Sequence, residues 1–269
     1  MGAVRTMLAA AAVLALSACD RGAAPRPATP PAAATPAPPL TFQRSNPDAE
    51  LSLKLPPQVA AIPALHAKLF DEGRRDLDAF GQRAKADLDR IRASGVGPAR
   101  TYSRSLAYAF DAETPRLIGL TLTEFENTGG AHPNTRIGAV IWDKAAGRAI
   151  GAAELFRPGA DLSAADKALC AAIRAAKRAR TGEVSFAGAE VKDCPPLKDA
   201  TLTLAPSTEP DRAGGLVALF SPYVLGPYVE GAYRIAVANA ALQGLIAEPF
   251  EGEFAGEPAP GAGAAPSTP

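Results

Sequence analysis

The sequence predicts an α+β protein whose sheet is mainly antiparallel. Two long segments repeat apolar residues at threes and fours, the mark of amphipathic helices. Several short segments alternate apolar and polar residues, and most follow one another across short turn-forming stretches, as hairpin strands do. The expected order between residues 41 and 250 is β-α-β-β-β-α-β-β-β-α, with two longer helices and a short C-terminal one.

Residues 50–55 read as a short strand with Leu51, Leu53 and Leu55 on one face. A helix is expected to begin near Pro63, where a missing N–H costs nothing. Its apolar residues Ile62, Leu65, Leu69, Leu77, Phe80, Ala84, Leu88 and Ile91 form one stripe, and the charged residues between them form a solvated face. Gly95 and Gly97 end it. Three strands follow at 102–110, 117–126 and 136–143, the last with Ile137, Ala139 and Ile141 opposite Val140 and Trp142. A second helix covers 163–180, with Ser163 and Asp166 in a capping-box arrangement and Lys177, Arg178 and Arg180 at its negative end. Strands at 201–204, 216–220 and 233–237 and a small helix at 240–246 complete the body.

The chain has 269 residues, with 28 basic and 28 acidic side chains, two histidines and three cysteines. Balanced charge leaves no basic excess for phosphates, so nucleic acid is not an expected partner. Two histidines make a multi-histidine metal centre unexpected, and no residue pattern calls for a cofactor. The one long apolar run, Met7 to Leu16 after Arg5, is too short to span a bilayer and reads as a signal peptide covering residues 1–18. It ends in Leu16, Ser17, Ala18 and Cys19, which resembles a bacterial lipobox with Cys19 as the lipidated residue. Acyl chains such as palmitate would then anchor the protein, at about 0.8 kcal/mol per buried methylene. Asp20 resembles an inner-membrane retention signal.

Residues 19–40 are rich in proline and alanine and read as a tether. In polyproline II form, about twenty residues would reach roughly 60 Å. Residues 41–250 form the expected domain, either undivided or as two subdomains at about 41–126 and 127–250, and residues 251–269 read as a disordered tail. The expected location is the periplasmic side of a bacterial envelope. With Cys19 committed to lipid, Cys170 and Cys194 remain; in an oxidising compartment they either form a disulfide or stay as two buried thiols.

Two loops stand out from this scaffold. One is TGGAHPN, containing Gly129, Gly130, His132 and Asn134; the other is FSPYVLGPYVEG, containing Ser221, Tyr223 and Tyr228. Glycines and prolines constrain both, and tyrosines on a stiff loop supply contact area at low entropic cost. The alternative is that Tyr223 and Tyr228 turn inward and close the core. TGGAH followed by FSPYVLGPYVEG resembles the extracytoplasmic domain shared by lysozyme-sensing anti-sigma factors and the N-terminal region of peptidoglycan deacetylases. The resemblance covers residues 42–246. It implies a non-catalytic envelope binding domain with lysozyme or a peptidoglycan component as ligand.

The lipobox stands where an anti-sigma factor would carry its cytosolic and membrane-spanning segments, so signalling to a sigma factor is not expected. A deacetylase domain's aspartate and histidine cluster does not follow, and Pro133 stands where members of the family commonly have glycine. An enzymatic alternative would use Glu124 and Glu126, on one strand face, with His132 folding back as an acid/base partner. No nucleophile elbow or HExxH zinc motif accompanies them. A further alternative is a purely structural envelope lipoprotein.

Overall fold

A computed structural model of the chain describes residues 37–95 and 100–264. The expected lipobox, signal peptide and nearly all of the tether lie outside them. No helix among the described residues is long and apolar enough to cross a membrane. In chain order the elements are β1 (Thr41–Ser45), β2 (Ala49–Lys54), α1 (Pro63–Ser94), β3 (Tyr102–Glu113), β4 (Leu117–Asn127), β5 (Asn134–Asp143), β6 (Arg148–Ile150) and α2 (Ala152–Leu155). They continue with α3 (Ser163–Thr181), β7 (Thr201–Pro206), β8 (Ala213–Phe220), β9 (Tyr233–Ala238) and α4 (Glu248–Glu251).

β1 to β6 form one sheet in sequence order, and β7 to β9 a second. Every pairing is antiparallel except β2 with β3, which α1 connects. That exception follows from chain length, since a parallel pair needs a long crossover and a hairpin does not. α1 lays Leu65, Leu69, Leu77, Phe80, Ala84 and Leu88 on one face of the large sheet, against Leu51, Leu53, Leu106, Ile118, Leu120 and Trp142. Each fully buried leucine in this row contributes about 2 kcal/mol of transfer free energy. Gly73 lets the helix approach closely: an added Cβ would stand 3.1 Å from the Leu53 methyls.

The small sheet lies against the other face of the large one. Val217 and Leu219 of β8 meet Ile137 and Ala139 of β5 there, while Leu202, Leu204, Leu216, Ile235 and Val237 point away, toward Leu169 and Ile173 of α3. The layers are therefore α1, large sheet, small sheet and α3. The sheets approach closely at Gly119, where a Cβ would come within 2.9 Å of the Leu204 amide nitrogen. Between them lies one polar network. A bulge between Phe110 and Ala112 accommodates Asp111, whose carboxylate accepts from Arg234 (2.7 Å), Thr121 (2.8 Å) and Thr203 (2.9 Å).

Several expectations are corrected here. The 126/127 subdomain boundary falls inside the β4–β5 hairpin, which pairs from Leu117↔Asp143 to Glu126↔Asn134, and Ala37–Pro269 clusters as one compact unit. The stretch expected as a disordered tail is packed as far as it is described. Phe254 and Ala262 are buried, Ala213 bridges Phe254 and Ser207 bridges Pro258, and Thr208 and Ala259 donate backbone hydrogen bonds across the same seam. Such pairing needs no apolar side chains, so an alanine, glycine and proline composition does not prevent it. Ser163 makes no capping box: α3 begins after Leu162 without a side-chain cap, and the Asp166 carboxylate accepts instead from the Leu197 amide at 2.7 Å. The small helix expected at 240–246 is a single 3₁₀ turn, Asn239–Ala241, and a four-residue helix follows at α4.

The folded state is predicted to lose stability on acidification. Hydrogen bonds from Arg116, reinforced by the Ala145 and Ala146 amides, outweigh burial and hold the Asp143 carboxyl below its ordinary value. Arg148 and the Gly151 amide hold Glu154 at about 2. Both groups are more acidic folded than unfolded, so their stabilisation is complete above the ordinary carboxylate range and is lost as pH falls through the folded values. Thermal melts from pH 6 down to about 2 should show a falling midpoint, and Asp143→Asn should flatten the fall.

Candidate functional site

The two loops singled out in the sequence meet. Ser221, at the end of β8, accepts a hydrogen bond from the Ile137 amide at 2.9 Å, which docks the Ser-Pro-Tyr loop on the edge of β5 beyond the short β6. His132 stacks on Tyr228, with ring centroids 4.1 Å apart and planes 21° apart. Tyr223 lies 6.1 Å from His132 and 5.5 Å from Tyr228, completing a three-ring cluster.

Hydrogen bonds fix how the rings are oriented. The Pro133 carbonyl can only accept, so both His132 Nδ1 (2.9 Å) and the Tyr228 hydroxyl (2.8 Å) donate to it, one to each lone pair. In the tautomer with its single proton on Nδ1, His132 accepts at Nε2 from the Tyr223 hydroxyl at 3.0 Å. Tyr223 has φ +74°, in the left-handed region that a bulky side chain rarely occupies. It is 39% exposed, and Val229 on the same loop is 89% exposed. These are two of the three large hydrophobic side chains exposed among the described residues. The reading in which both tyrosines close the core does not hold for Tyr223.

The loop is held from beneath by residues the sequence reading did not assign to the site. Lys177 of α3 is fully buried and donates to the Leu225 carbonyl (2.6 Å) and the Glu230 carboxylate (2.7 Å). The Tyr233 hydroxyl donates to the same carboxylate oxygen. Burial penalises the Glu230 carboxylate, yet the hydrogen bonds from Lys177 and Tyr233 and the charges of Lys177 and Arg180 outweigh it and leave its pKa lowered. Arg180 stacks on Tyr233 at 3.8 Å and donates to the Glu230 and Ala232 carbonyls. Gly226 is required because an added Cβ would meet the Glu230 carboxylate. A signal was present: Lys177 continues the Leu169, Ile173 row at a spacing of four, where a buried apolar residue is expected.

Cys170 and Cys194 form a disulfide, S–S 2.13 Å, closing a loop of sequence separation 24, worth about 3 kcal/mol by loop closure. This loop braces the tyrosine loop from the side. The Glu190 amide donates to the Tyr223 carbonyl at 2.8 Å, and the Val191 amide to the Val224 carbonyl at 3.4 Å.

The remaining predicted residues divide. Gly129 has φ +80° and its amide donates to Asn127 Oδ1 at 2.9 Å, so it shapes the turn; Gly130 does not use positive φ. Asn134 opens β5 opposite Glu126 and lines a separate polar pocket with Arg83, Arg104, Glu124, Glu126 and Arg136. Glu124 and Glu126 do share a face, but both engage Arg104, at 3.1 and 2.6 Å, and Arg104 also bonds Asp76 at 2.6 Å. His132 faces the tyrosines, not these carboxylates.

The sequence matches no protein-family model, and it matches no curated protein. Among solved structures the chain is similar to a DUF3298 family member from Bacteroides fragilis, at 16% identity and TM-score 0.57, over 79% of this chain and 95% of that one. It is also similar to a DUF3298 family protein from Pseudomonas aeruginosa, at 16% identity and TM-score 0.48, over 82% of this chain and 99% of that one. At this identity, what the chain shares with the Bacteroides protein is its fold.

Proposed function

We propose that this protein is a lipid-anchored lipoprotein of the bacterial envelope whose α+β domain captures a lysozyme-type muramidase, as a binding domain and not as an enzyme. The observation that carries the reading is the cluster of exposed His132 and Tyr223 with half-buried Tyr228, built from two loops and carrying strained backbone at Tyr223. Strain in a bulky residue costs about 1–3 kcal/mol and persists where the surroundings impose it, often at binding sites. Rigid aromatic side chains beside an exposed valine are the composition of interface anchors. The resemblance of the two loops to the lysozyme-sensing domain supplies the ligand class.

A peptidoglycan component is the second reading, favoured by the stacked rings, since aromatic faces suit the C–H faces of sugars. The test is calorimetric titration of the Ala37–Pro269 unit with lysozyme and, separately, with solubilised peptidoglycan. Saturable binding of lysozyme is expected, weakened at least about tenfold in Tyr223→Ala and in His132→Ala, a loss of about 1.4 kcal/mol or more, with the circular dichroism spectrum unchanged. Undiminished affinity in both variants would sink the two-loop site. Heat with glycan alone would replace the muramidase by the cell wall.

A further inference from the structure

The polar pocket beside the aromatic cluster has a chemistry of its own. Its volume is about 240 Å³, and it is lined by Arg83 of α1, Arg104 of β3, Glu124 and Glu126 of β4, and Asn134 and Arg136 of β5. Arg104 is spent: its Nε and both terminal nitrogens go to Asp76, Glu126 and Glu124. Those bonds use Oε2 of each glutamate, and Arg104 is only 14% exposed, so the two carboxylates are held rigidly. Their Oε1 atoms receive no hydrogen bond from the described residues. Arg83 and Arg136 are exposed and make no ion pair or hydrogen bond among the described residues. In the β4–β5 register Arg136 stands opposite Glu124 and Asn134 opposite Glu126.

The pocket therefore offers two uncommitted guanidiniums and an amide as donors next to two fixed carboxylate oxygens as acceptors. A simple anion would satisfy the first set and be repelled by the second; a simple cation would meet the converse. We infer that this pocket binds the zwitterionic head group of an α-amino acid, its carboxylate on Arg83 and Arg136 and its ammonium on Glu124 and Glu126. Guanidinium and carboxylate pair through two parallel hydrogen bonds, and an ammonium offers three donors for the two glutamates. The volume admits such a head group. In an envelope protein, the free end of a diamino acid in a peptidoglycan stem carries this group. Pro133 belongs to the aromatic cluster and Asn134 to the pocket, so one stretch of chain serves both. The inference does not depend on the muramidase reading.

The probe is meso-diaminopimelate, titrated into the full-length protein by calorimetry. Saturable binding is expected, with affinity reduced at least about tenfold by esterifying its carboxylates or acetylating its amines, because each removes a charge-assisted contact. Arg83→Gln with Arg136→Gln should weaken binding by a similar factor, as should Glu124→Gln with Glu126→Gln. Lys198→Ala, at an exposed position outside both sites, should leave it unchanged, and meso-diaminopimelate binding is scored separately from lysozyme binding, which separates failure of this site from failure of the aromatic one. The absence of saturable heat, equal binding of the esterified or acetylated forms, or full binding by the arginine double variant would each overturn the assignment.

Discussion

Arg234→Ala is expected to destabilise the domain by about 3–5 kcal/mol, because it leaves a buried carboxylate without its counter-charge. Arg234 and Asp111 are only 10% and 5% exposed, between the two sheets. Arg234 donates to Asp111 Oδ1 and Thr121 Oγ1, both at 2.7 Å, while Thr121 and Thr203 donate to Asp111 Oδ2. β3, β4, β7 and β9 thus meet at a single carboxylate. A buried pair of this kind is a weak source of net stability but a costly one to break by halves. Asp111→Leu combined with Arg234→Leu should recover most of the loss, and denaturant midpoints of the single and double variants measure both. A single variant within about 0.5 kcal/mol of the parent would behave like an ordinary surface change and contradict this placement.

Lys177→Met should cost about 3 kcal/mol and, in addition, abolish ligand capture. Methionine preserves the apolar stem but supplies no donor, so the Leu225 carbonyl loses its Lys177 partner and Glu230 keeps only Tyr233 on its carboxylate. The pH dependence gives a second signature. In the parent, Glu230 is more acidic than usual, so its contribution is present above the carboxylate range and lost as pH falls through the folded value. In the variant the Tyr233 hydrogen bond and the Arg180 charge remain but the Lys177 contribution is gone, so burial weighs more heavily, Glu230 is less acidic than in the parent and less stability is lost as pH falls. The stability gap between parent and variant should therefore narrow toward pH 4. A gap of constant size across that range would mean that Lys177 acts by packing alone.

The elements most legible in the sequence were those with long, clean periods. The stripe of α1 from Leu65 to Leu88 and the alternation along β5 appear in the structure with the expected faces. β1 and β6 were not legible: β1 reads TFQRS and is mostly exposed, and β6 has three residues, so neither carries a pattern. The packed segment after α4 was hidden because its pairing uses backbone groups, which composition does not report. For the site, glycine and proline content drew attention to both loops, but their meeting depends on sheet packing across a sequence separation of 91. Glu124 and Glu126 were legible as a pair; their capture by Arg104 depends on strand register, which places Arg104 opposite Glu126.

Whether the two loops act as one site is tested most directly by amide hydrogen exchange of the Ala37–Pro269 unit with and without saturating lysozyme. Concurrent protection of residues 127–136 and 220–231, with the exposed end of α1 unchanged, is the predicted footprint. Protection of one loop without the other, or of a surface remote from both, would contradict a binding site built from the pair.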